Sequence, residues 1–305
     1  MEDVFVTKIH IDRLRHLENI EIILSDSERK HLILTGKNGS GKTSLLEVLK
    51  EAISPQLFSV NDVNGVNYES DTIGNIALTH SGPISAQTKF VCAYISASRG
   101  RFTKPDAAKG QVKAIHHADM QQNCGNDFLQ YVTGLDFILY RAQRNKETEQ
   151  ARRLEKWFED FQSLLCDIYD CPELQLLRDT KSSDFHIKLP NRSRFGLHEM
   201  SDGYTAVLKI VAELLMRMVE AGAESFDAHA VQAIVLIDEI DAHLHVELQR
   251  RVLKLLTKLF PNTQFIVATH SPFVITSLEN AIVFDLEKKE MLENPWMYSS
   301  ETVVE

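Results

Sequence analysis

Hydrophobic and polar residues alternate at the start of the chain. Apolar side chains occupy positions 4, 6, 9 and 11, and after a polar turn they occupy positions 20, 22 and 24. A period of two is typical of strands that have one buried face and one solvent-exposed face. The pattern therefore predicts a β-hairpin in this part of the chain.

A strand, a loop and a helix are predicted next. The apolar run His31–Thr35 predicts a buried strand, and Ser44–Ala52 has helical spacing, so residues 36–43 connect a strand to a helix. Residues 53–88 are rich in Asn, Ser, Gly and Asp and show little periodicity, which predicts a loop with at most a short strand. A second buried strand is predicted at Phe90–Ile95.

The middle of the chain changes to a helical pattern. From about residue 110 to residue 170, apolar residues recur at spacings of three and four. Two short strand-like runs follow at Leu174–Leu177 and Phe185–Leu189, and a long helix is predicted to begin after Gly203. We interpret this region as an inserted helical lobe.

Strands and helices alternate in the last third of the chain. In order, the sequence shows a strand in AIVLIDE, a helix in VELQRRVLKLLTKLF, a strand in QFIVATH, a helix in PFVITSL and a strand in AIVFDL. Such alternation is typical of a parallel α/β domain. The predicted fold class is therefore α/β, with a parallel-sheet core, an N-terminal antiparallel β part and an inserted helical lobe.

Composition and charge narrow the class of protein. The chain of 305 residues is 44% hydrophobic, which is enough for a sizeable core, and it contains no stretch of about 18 uncharged apolar residues. Its first residues lack the pattern of a signal peptide, so we expect a cytoplasmic protein without a membrane partner. The net charge of −10 argues against an all-round basic nucleic-acid binder, although a local positive groove stays open.

The cysteines give no sign of a metal site. Cys92, Cys124, Cys166 and Cys171 show neither CxxC spacing nor the density of a secreted disulfide-bonded domain. We therefore expect reduced thiols in the core.

Residues 36–43 read GKNGSGKT, which satisfies the Walker A pattern. The glycines let backbone amides close on phosphates, Lys42 is expected to reach the β and γ oxygens, and Thr43 is expected to bind magnesium. The N-terminal end of the following helix is positive and favours the same charges. The predicted nucleotide-binding residues are Asn38, Gly39, Ser40, Gly41, Lys42, Thr43 and Ser44.

Two acidic residues end the apolar strand in AIVLIDEID. Asp238 is predicted to hold magnesium through its water shell, and Glu239 to orient or deprotonate the attacking water. Read alone, the pair is better explained as two solvated acids at a strand end. Its occurrence in a chain with a phosphate loop favours the catalytic interpretation.

A histidine follows the next apolar strand in VATHSP. A single histidine is more often structural than functional. In a parallel sheet, however, the order of phosphate loop, acidic strand and histidine places His270 near the γ-phosphate, where its ring is predicted to sense or polarise that group.

These motifs together resemble a known family. GKNGSGKT, LIDEID and ATHSP in this order, with MSDGY before the acidic strand, look like an ABC-type ATPase of the branch that contains RecF, SMC proteins and OLD-family ATPases. The resemblance implies a single ABC-type ATPase domain over residues 1–305, with residues 100–195 as the inserted helical or signature lobe. It also implies that Ser201, Asp202 and Gly203 form a signature loop that closes on the ATP of a partner subunit. Read alone, these three residues are equally well explained as a helix cap.

Several residues depart from the general ABC pattern. The signature reads SDGY instead of the transporter-like SGGQ, the acidic strand continues as IDAHLH, and no glutamine follows Phe90–Ile95. These departures favour the RecF and OLD side of the branch, whose arginine-bearing loop resembles AYISASRG. The resemblance implies that Arg99 approaches the phosphates.

Two further clusters have competing interpretations. His243 and His245 suggest a metal pair, but no third ligand stands at suitable spacing, so a dimer-contact loop is preferred. Arg141, Arg144, Lys146, Arg152 and Arg153 are interleaved with glutamates, which favours a solvated helix face over a nucleic-acid groove.

The resemblance implies a function for the whole chain. Two heads are expected to sandwich two ATP–Mg²⁺ complexes as a homodimer, with higher oligomers left open, and to hydrolyse the ATP to drive or gate a separate effector. Heads of this branch often serve bacterial antiphage defence modules together with a nuclease or toxin partner. The alternatives are a RecF-like DNA-repair ATPase and a slow ATP-dependent scaffold that holds a toxin or nuclease inactive.

Overall fold

The chain folds into two compact units. The computed structural model describes residues 3–53, 65–70, 74–81, 90–98, 102, 128–179, 184–221, 231–292 and 295. One unit combines Met1–Ser98 with Ala228–Glu305, and the other is Arg99–Asp227. The first carries the phosphate loop and the second carries the helical lobe.

The first unit contains two β-sheets and the helices packed on them. Its strands are β1 (Val6–Leu14), β2 (Leu17–Ile23), β3 (His31–Thr35), β4 (Gly65–Ser70), β5 (Gly74–His80), β6 (Phe90–Ile95), β10 (Gln232–Ile237), β11 (Thr263–Ala268), β12 (Ala281–Asp285) and β13 (Glu290–Leu292). Its helices are α1 (Lys42–Ala52), α5 (Val246–Leu259) and α6 (Pro272–Ile275).

The larger sheet has the strand order β13-β12-β3-β11-β10-β6. Its strands pair in parallel except β13, which runs antiparallel to β12. Every residue of β3, β10 and β11 is buried, which explains why apolar residues predominate in their sequences. The predicted α/β class and its parallel core are therefore confirmed.

The smaller sheet is antiparallel and has the order β2-β1-β5-β4. Its β1–β2 hairpin was predicted from the alternating pattern, and it buries residues such as Ile9, Ile11 and Ile22. The interpretation of residues 53–88 as a loop with at most a short strand was wrong, because β4 and β5 lie there. Ile76 and Leu78 are buried on β5. The alternation of apolar residues there is short, and the surrounding Asn, Gly and Ser residues favoured the interpretation as a loop.

Two buried glutamines join the antiparallel sheet to the parallel sheet. Gln264 on β11 accepts a hydrogen bond from the Val6 N–H (2.7 Å) and donates to the carbonyls of Val6 (2.9 Å) and Lys30 (2.8 Å). Gln232 on β10 accepts from the Val4 N–H (2.9 Å). These amides satisfy backbone groups that would otherwise be buried without partners.

The second unit is mainly helical. Its elements are α2 (Phe128–Asn145), α3 (Thr148–Tyr169), β7 (Gln175–Asp179), β8 (Asp184–Lys188), β9 (Phe195–Gly196), a short 3₁₀ turn (Leu197–Glu199) and α4 (Asp202–Glu220). The helical pattern predicted up to residue 170 is confirmed from residue 128 onward, where it forms two helices, and the part before residue 128 lies outside the described residues. The two predicted strands and the start of the long helix are confirmed within two residues. Aromatic side chains form the core between α2 and α3, where the ring centroids of Phe128 and Phe161 lie 5.5 Å apart.

Helix α4 is buried along most of its length, including three charged residues. Lys209, Glu213 and Arg217 follow one another at intervals of four, and each is at most 5% exposed. The guanidinium of Arg217 lies 2.7 Å from the Glu213 carboxylate, so these opposite charges are compensated inside the lobe. Among the helices that the structure describes, none is long and apolar enough to cross a membrane.

Candidate nucleotide-binding site

Residues 36–43 form the loop between β3 and α1. Gly36 and Gly41 have φ angles of 127° and 100°, which disfavour any residue with a side chain. A Cβ atom on Gly41 would also lie 2.8 Å from Leu17 Cδ1 at the start of β2. Asn38 and Gly39 are exposed at the rim of the loop, whereas Ser40 and Ser44 are buried beneath it.

Lys42 is the first residue of α1 and is only 6% exposed. Its Nζ donates hydrogen bonds to the carbonyls of Gly36 (2.7 Å) and Lys37 (3.1 Å). The ammonium therefore links the end of the loop to its first two residues. Burial lowers the pKa of Lys42, and nearby carboxylates, with Asp238 and Glu239 the strongest, act in the opposite direction. The ammonium therefore lies next to the acidic end of β10.

Thr43 and Asp238 are joined directly although 195 positions separate them in the sequence. The Thr43 hydroxyl donates to Asp238 Oδ2 at 2.9 Å. Asp238 is 6% exposed, and its backbone N–H bonds to the Ile95 carbonyl (2.9 Å) as β10 ends. Parallel pairing brings the carboxyl ends of these strands to one edge, where the phosphate loop also begins.

At Glu239, immediately after Asp238, the backbone turns away from the direction of β10. Its φ angle is 45°, a left-handed conformation that is uncommon for a residue other than glycine, and its side chain is exposed. Such backbone conformations occur often at functional sites. The turn separates the exposed Glu239 carboxylate from the buried carboxylate of Asp238.

His270 follows β11, which lies between β3 and β10. Ala268 pairs with Leu34 in the parallel register, and the next residue, Thr269, donates its backbone N–H to the Leu34 carbonyl (3.0 Å). This bond extends the pairing between β11 and β3 almost to residue 36, where the phosphate loop begins. His270 is exposed at the same edge as Lys42 and Asp238.

A polar contact that the motifs did not predict holds the histidine loop. The Thr269 hydroxyl donates to the Asp241 carboxylate and accepts from the Ser271 N–H (3.0 Å). The Ser271 hydroxyl in turn donates to Gln249 on α5 (2.7 Å). His270 is thus flanked by two anchored residues. The only sequence signal was the position of Asp241 and Thr269 within LIDEID and ATHSP.

The loop after β12 supports the other side of the phosphate loop. The Lys37 ammonium lies 2.9 Å from Glu287 Oε1, and the Leu286 N–H bonds to the Thr35 carbonyl (3.0 Å). Hydrogen bonding to Glu287 raises the pKa of Lys37. This exposed pair orients the loop more than it stabilises the fold. Sequence analysis assigned Glu287 no role.

Ser201, Asp202 and Gly203 lie in the second unit, at the start of α4. Ser201 occupies the N-cap position but its side chain makes no capping hydrogen bond, and Ser201 and Asp202 are exposed. The Tyr204 ring stacks on Tyr169 with centroids 4.0 Å apart. The side-chain oxygen of an N-cap serine normally accepts a hydrogen bond from a backbone N–H of the first helical turn. Because Ser201 makes no such bond, its hydroxyl is available for another contact.

The sequence analysis also singled out two histidines, a basic cluster and Arg99. His243 and His245 are exposed, and His243 has a φ angle of 66°. The basic cluster of α2 and α3 is exposed, and Arg153 pairs with Glu149 (3.3 Å), as a solvated helix face predicts. Arg99 lies outside the described residues.

The interpretation of the cysteines as core thiols needs correction. It holds for Cys92, which is buried, but it is wrong for Cys166 and Cys171, which are partly exposed because they lie at the end of α3. Cys124 lies outside the described residues.

The strand–loop–helix geometry, the buried Lys42 and the Thr43–Asp238 contact define the class of protein. These are the features of a P-loop nucleotide-binding site, as the motifs predicted.

Comparison with a protein family supports this class. Residues 132–276 match the family described as "AAA domain, putative AbiEii toxin, Type IV TA system". The matched segment begins after the phosphate loop and includes Ser201, Asp238, Glu239 and His270.

Named relatives are similar over different parts of the chain. The Septu protein PtuA of Bacillus mycoides (strain KBAB4) is 25% identical over 94% of this chain and 41% of its own length. The Retron Vc95 probable ATPase of Vibrio cholerae serotype O1 biovar El Tor is 29% identical over 50% of this chain and 29% of its own length. The Retron Ec83 probable ATPase of Escherichia coli is 32% identical over 34% of this chain and 19% of its own length. The chain therefore spans about two fifths or less of these relatives.

Solved structures of SMC head domains are also similar. An SMC head bound to the C-winged helix domain of ScpA has a TM-score of 0.47 and 14% identity, and the match covers 95% of this chain and 96% of that one. The SMC head domain from Thermotoga maritima has a TM-score of 0.43 and 16% identity, with 92% and 94% covered.

Proposed function

We propose that the chain binds ATP with magnesium, hydrolyses it, and pairs with a second copy around two nucleotides. The observation that carries this proposal is the Thr43–Asp238 contact of 2.9 Å beside the buried ammonium of Lys42. A phosphate-binding loop and an acidic strand end are the two parts that P-loop hydrolysis requires.

The residues at this edge fit a magnesium ion. Mg²⁺ prefers hard oxygen ligands and retains several waters, and the Thr43 hydroxyl and Asp238 carboxylate supply such oxygens within one hydrogen bond of each other. These two residues would hold the ion, which when bound neutralises charge on the phosphate oxygens. The Thr43–Asp238 hydrogen bond would then give way to ligation.

Three other side chains would bind the phosphates or activate the attacking water. Lys42 would exchange its contacts with the Gly36 and Lys37 carbonyls for oxygens of the β- and γ-phosphates. Glu239 would orient the attacking water and accept its proton, a contribution of about a hundredfold to ten-thousandfold in rate. His270 would contact the γ-phosphate from the end of β11.

The second copy would complete the site with Ser201–Gly203. The exposed Ser201 hydroxyl and the first turn of α4 form a helix N-terminus, which favours anionic phosphate. Hydrolysis would remove the γ-phosphate that both copies contact, and the dimer would open.

We infer that this cycle drives or gates a separate effector in bacterial antiphage defence. The family description that names a toxin and the retron ATPases among the relatives support this inference. DNA repair and a non-hydrolysing scaffold are the competing roles.

Two substitutions test the site. Glu239→Gln should bind ATP but hydrolyse it at least about a hundredfold more slowly, and it should accumulate as a dimer because the base is lost. Lys42→Ala should lose ATP binding and remain monomeric with ATP. Phosphate release and size-exclusion chromatography with ATP–Mg²⁺ measure these outcomes, and wild-type turnover in Glu239→Gln would remove Glu239 from the role of base.

The same phosphate-release assay separates the roles. Stimulation by a co-expressed effector supports defence, and stimulation by DNA alone supports repair. ATP-dependent dimerisation without turnover under any of these conditions supports the scaffold.

A further inference from the structure

Two cysteines flank the turn that ends helix α3. Asp170 adopts the left-handed conformation with a φ angle of 53°, and the Cys171 N–H donates to the Cys166 carbonyl at 3.0 Å. The Asp170 N–H donates to the Asp167 carbonyl at 3.4 Å. This pair of bonds is the Schellman motif, in which the side chains at the positions of Cys166 and Cys171 usually contact each other.

Both cysteines line the same surface cleft. The cleft has a volume of about 430 Å³ and is lined by Glu159, Gln162, Ser163, Cys166, Asp167, Asp170, Cys171 and Pro172. Cys166 Sγ lies 3.8 Å from the Pro172 carbonyl and 3.6 Å from the Leu174 carbonyl, so it covers the segment that follows Cys171. Both residues are partly exposed and line this cleft, which gives a small reagent a path to them.

We propose that Cys166 and Cys171 form a redox-active dithiol that reacts with a small external disulfide and closes into an intramolecular disulfide. Disulfides join Cα atoms about 4.4–6.8 Å apart, and the Cys171–Cys166 backbone hydrogen bond brings the two residues within this reach. In a reducing compartment, such bonds are usually transient and redox-sensing.

The reaction proceeds by two thiol–disulfide exchanges. One thiolate attacks the external disulfide, forms a mixed disulfide and releases the first external thiol. The second cysteine loses its proton and attacks the bound sulfur, which forms the Cys166–Cys171 bond and releases the second external thiol. The two cysteines are oxidised and the external disulfide is reduced to two thiols.

The surroundings set the order of attack. Burial raises the pKa of the Cys166 thiol, and the neighbouring Cys171 and Asp167 act in the same direction. Because the thiolate is the nucleophile, Cys166 is the slower first attacker. Cys171 should therefore carry the mixed disulfide and Cys166 should resolve it.

The disulfide would act on the signature loop, a step that rests on the proposed function. Tyr169 lies between the two cysteines in sequence, and its ring stacks on Tyr204 with centroids 4.0 Å apart. Tyr204 directly follows Ser201–Gly203. A bond across the end of α3 would fix the backbone that carries Tyr169 and so bias the start of α4.

Peptide mapping tests the dithiol. The full chain is incubated with oxidised glutathione, and mass spectrometry should find a Cys166–Cys171 crosslink with the loss of two hydrogens that dithiothreitol reverses. Cys166→Ser should instead keep a glutathione adduct on Cys171, and Cys92→Ser should form the crosslink as the wild type does. Independent adducts on Cys166 and Cys171, or no reaction at either, would overturn the proposal and leave a simple packing contact.

ATP turnover tests the coupling separately. Oxidised wild type should change its phosphate-release rate by about fivefold or more, the lower end of typical coupling between sites, whereas a Cys166→Ser/Cys171→Ser variant should not respond to oxidant. A crosslink without any change in rate would overturn the coupling alone. Absence of turnover in the reduced wild type would count against the proposed function, while the crosslink would still report on the dithiol.

Discussion

Lys42 shows how burial and charge compete at a single residue. Taking an ammonium out of water disfavours its charged form, whereas the carboxylates at the end of β10 favour it. Burial is the larger influence and the pKa of Lys42 falls. Its hydrogen bonds to the Gly36 and Lys37 carbonyls compensate for part of the lost hydration. The loop is thus arranged around this cation before any phosphate arrives.

His31 provides a test of burial at a second residue. It is 7% exposed at the start of β3, and its Nδ1 accepts a hydrogen bond from the Phe265 N–H (3.1 Å). Burial, assisted by Arg29 and Lys30, lowers the pKa of His31 from 6.5 to about 4. The unfolded chain therefore binds the proton more readily than the folded chain does.

We predict that acid weakens the fold through His31. Its contribution is fully present above about pH 6.5 and falls as the pH drops toward 4, with a loss of about 2 kcal/mol between about pH 7.5 and pH 5. His31→Asn keeps an acceptor but does not titrate, so its free energy of unfolding should fall by about 2 kcal/mol less over this interval. Urea denaturation at both pH values measures the difference, and equal losses in the two proteins would contradict the assignment.

At the scale of elements, the strands rich in apolar residues were predictable. The sequence indicated β3 and β6 with their observed bounds, because a strand that is mostly buried on both faces carries mostly apolar residues. It did not indicate β5, because a strand at the surface needs only two or three buried residues among polar ones.

The residues of the site were also only partly predictable from the sequence. The motifs indicated Lys42, Thr43 and Asp238, since phosphate and magnesium chemistry restricts these residue types. They gave no indication of the Asp241–Thr269 contact or of the Lys37–Glu287 pair, which depend on how distant loops meet in the folded chain.

Gln264 is expected to be the strongest polar link between the two sheets. Gln264→Leu would remove three hydrogen bonds and leave buried backbone groups of Val6 and Lys30 unsatisfied, which should lower the free energy of unfolding by about 3 kcal/mol. Chemical denaturation of the full chain measures this loss.

Thr263 supplies a matched control on the same strand. Its hydroxyl is buried and has no hydrogen-bond partner within the described part of the chain. Thr263→Val keeps the shape, so the free energy of unfolding should stay within about 0.5 kcal/mol of wild type or rise. A small effect of Gln264→Leu, comparable to that of Thr263→Val, would show that the glutamine does not link the sheets.

At the scale of the whole molecule, nucleotide binding should stabilise the fold. The protein carries a net charge of −10, so attraction of ATP depends on the local field of the phosphate loop and not on the overall charge. At a free ATP–Mg²⁺ concentration about 100 times Kd, binding adds about 2.7 kcal/mol to the free energy of unfolding.

Thermal unfolding with and without ATP–Mg²⁺ checks this prediction. The melting temperature of wild type and of Glu239→Gln should rise with nucleotide, because both retain the loop and the Thr43–Asp238 oxygens. Lys42→Ala should show no rise, and an equal rise in that variant would place the nucleotide elsewhere on the protein.

The glutamine link between the sheets also constrains how the protein is made in the cell. Val6 and Gln264 are separated by 258 positions. At 5–20 residues per second, a ribosome adds Gln264 roughly 13–50 s after Val6. During this interval β4 and β5 can complete the antiparallel sheet with β1 and β2, but that sheet still lacks the Gln264 hydrogen bonds that join it to the parallel sheet. Docking of β1 on the parallel sheet is therefore expected to be one of the last steps of folding.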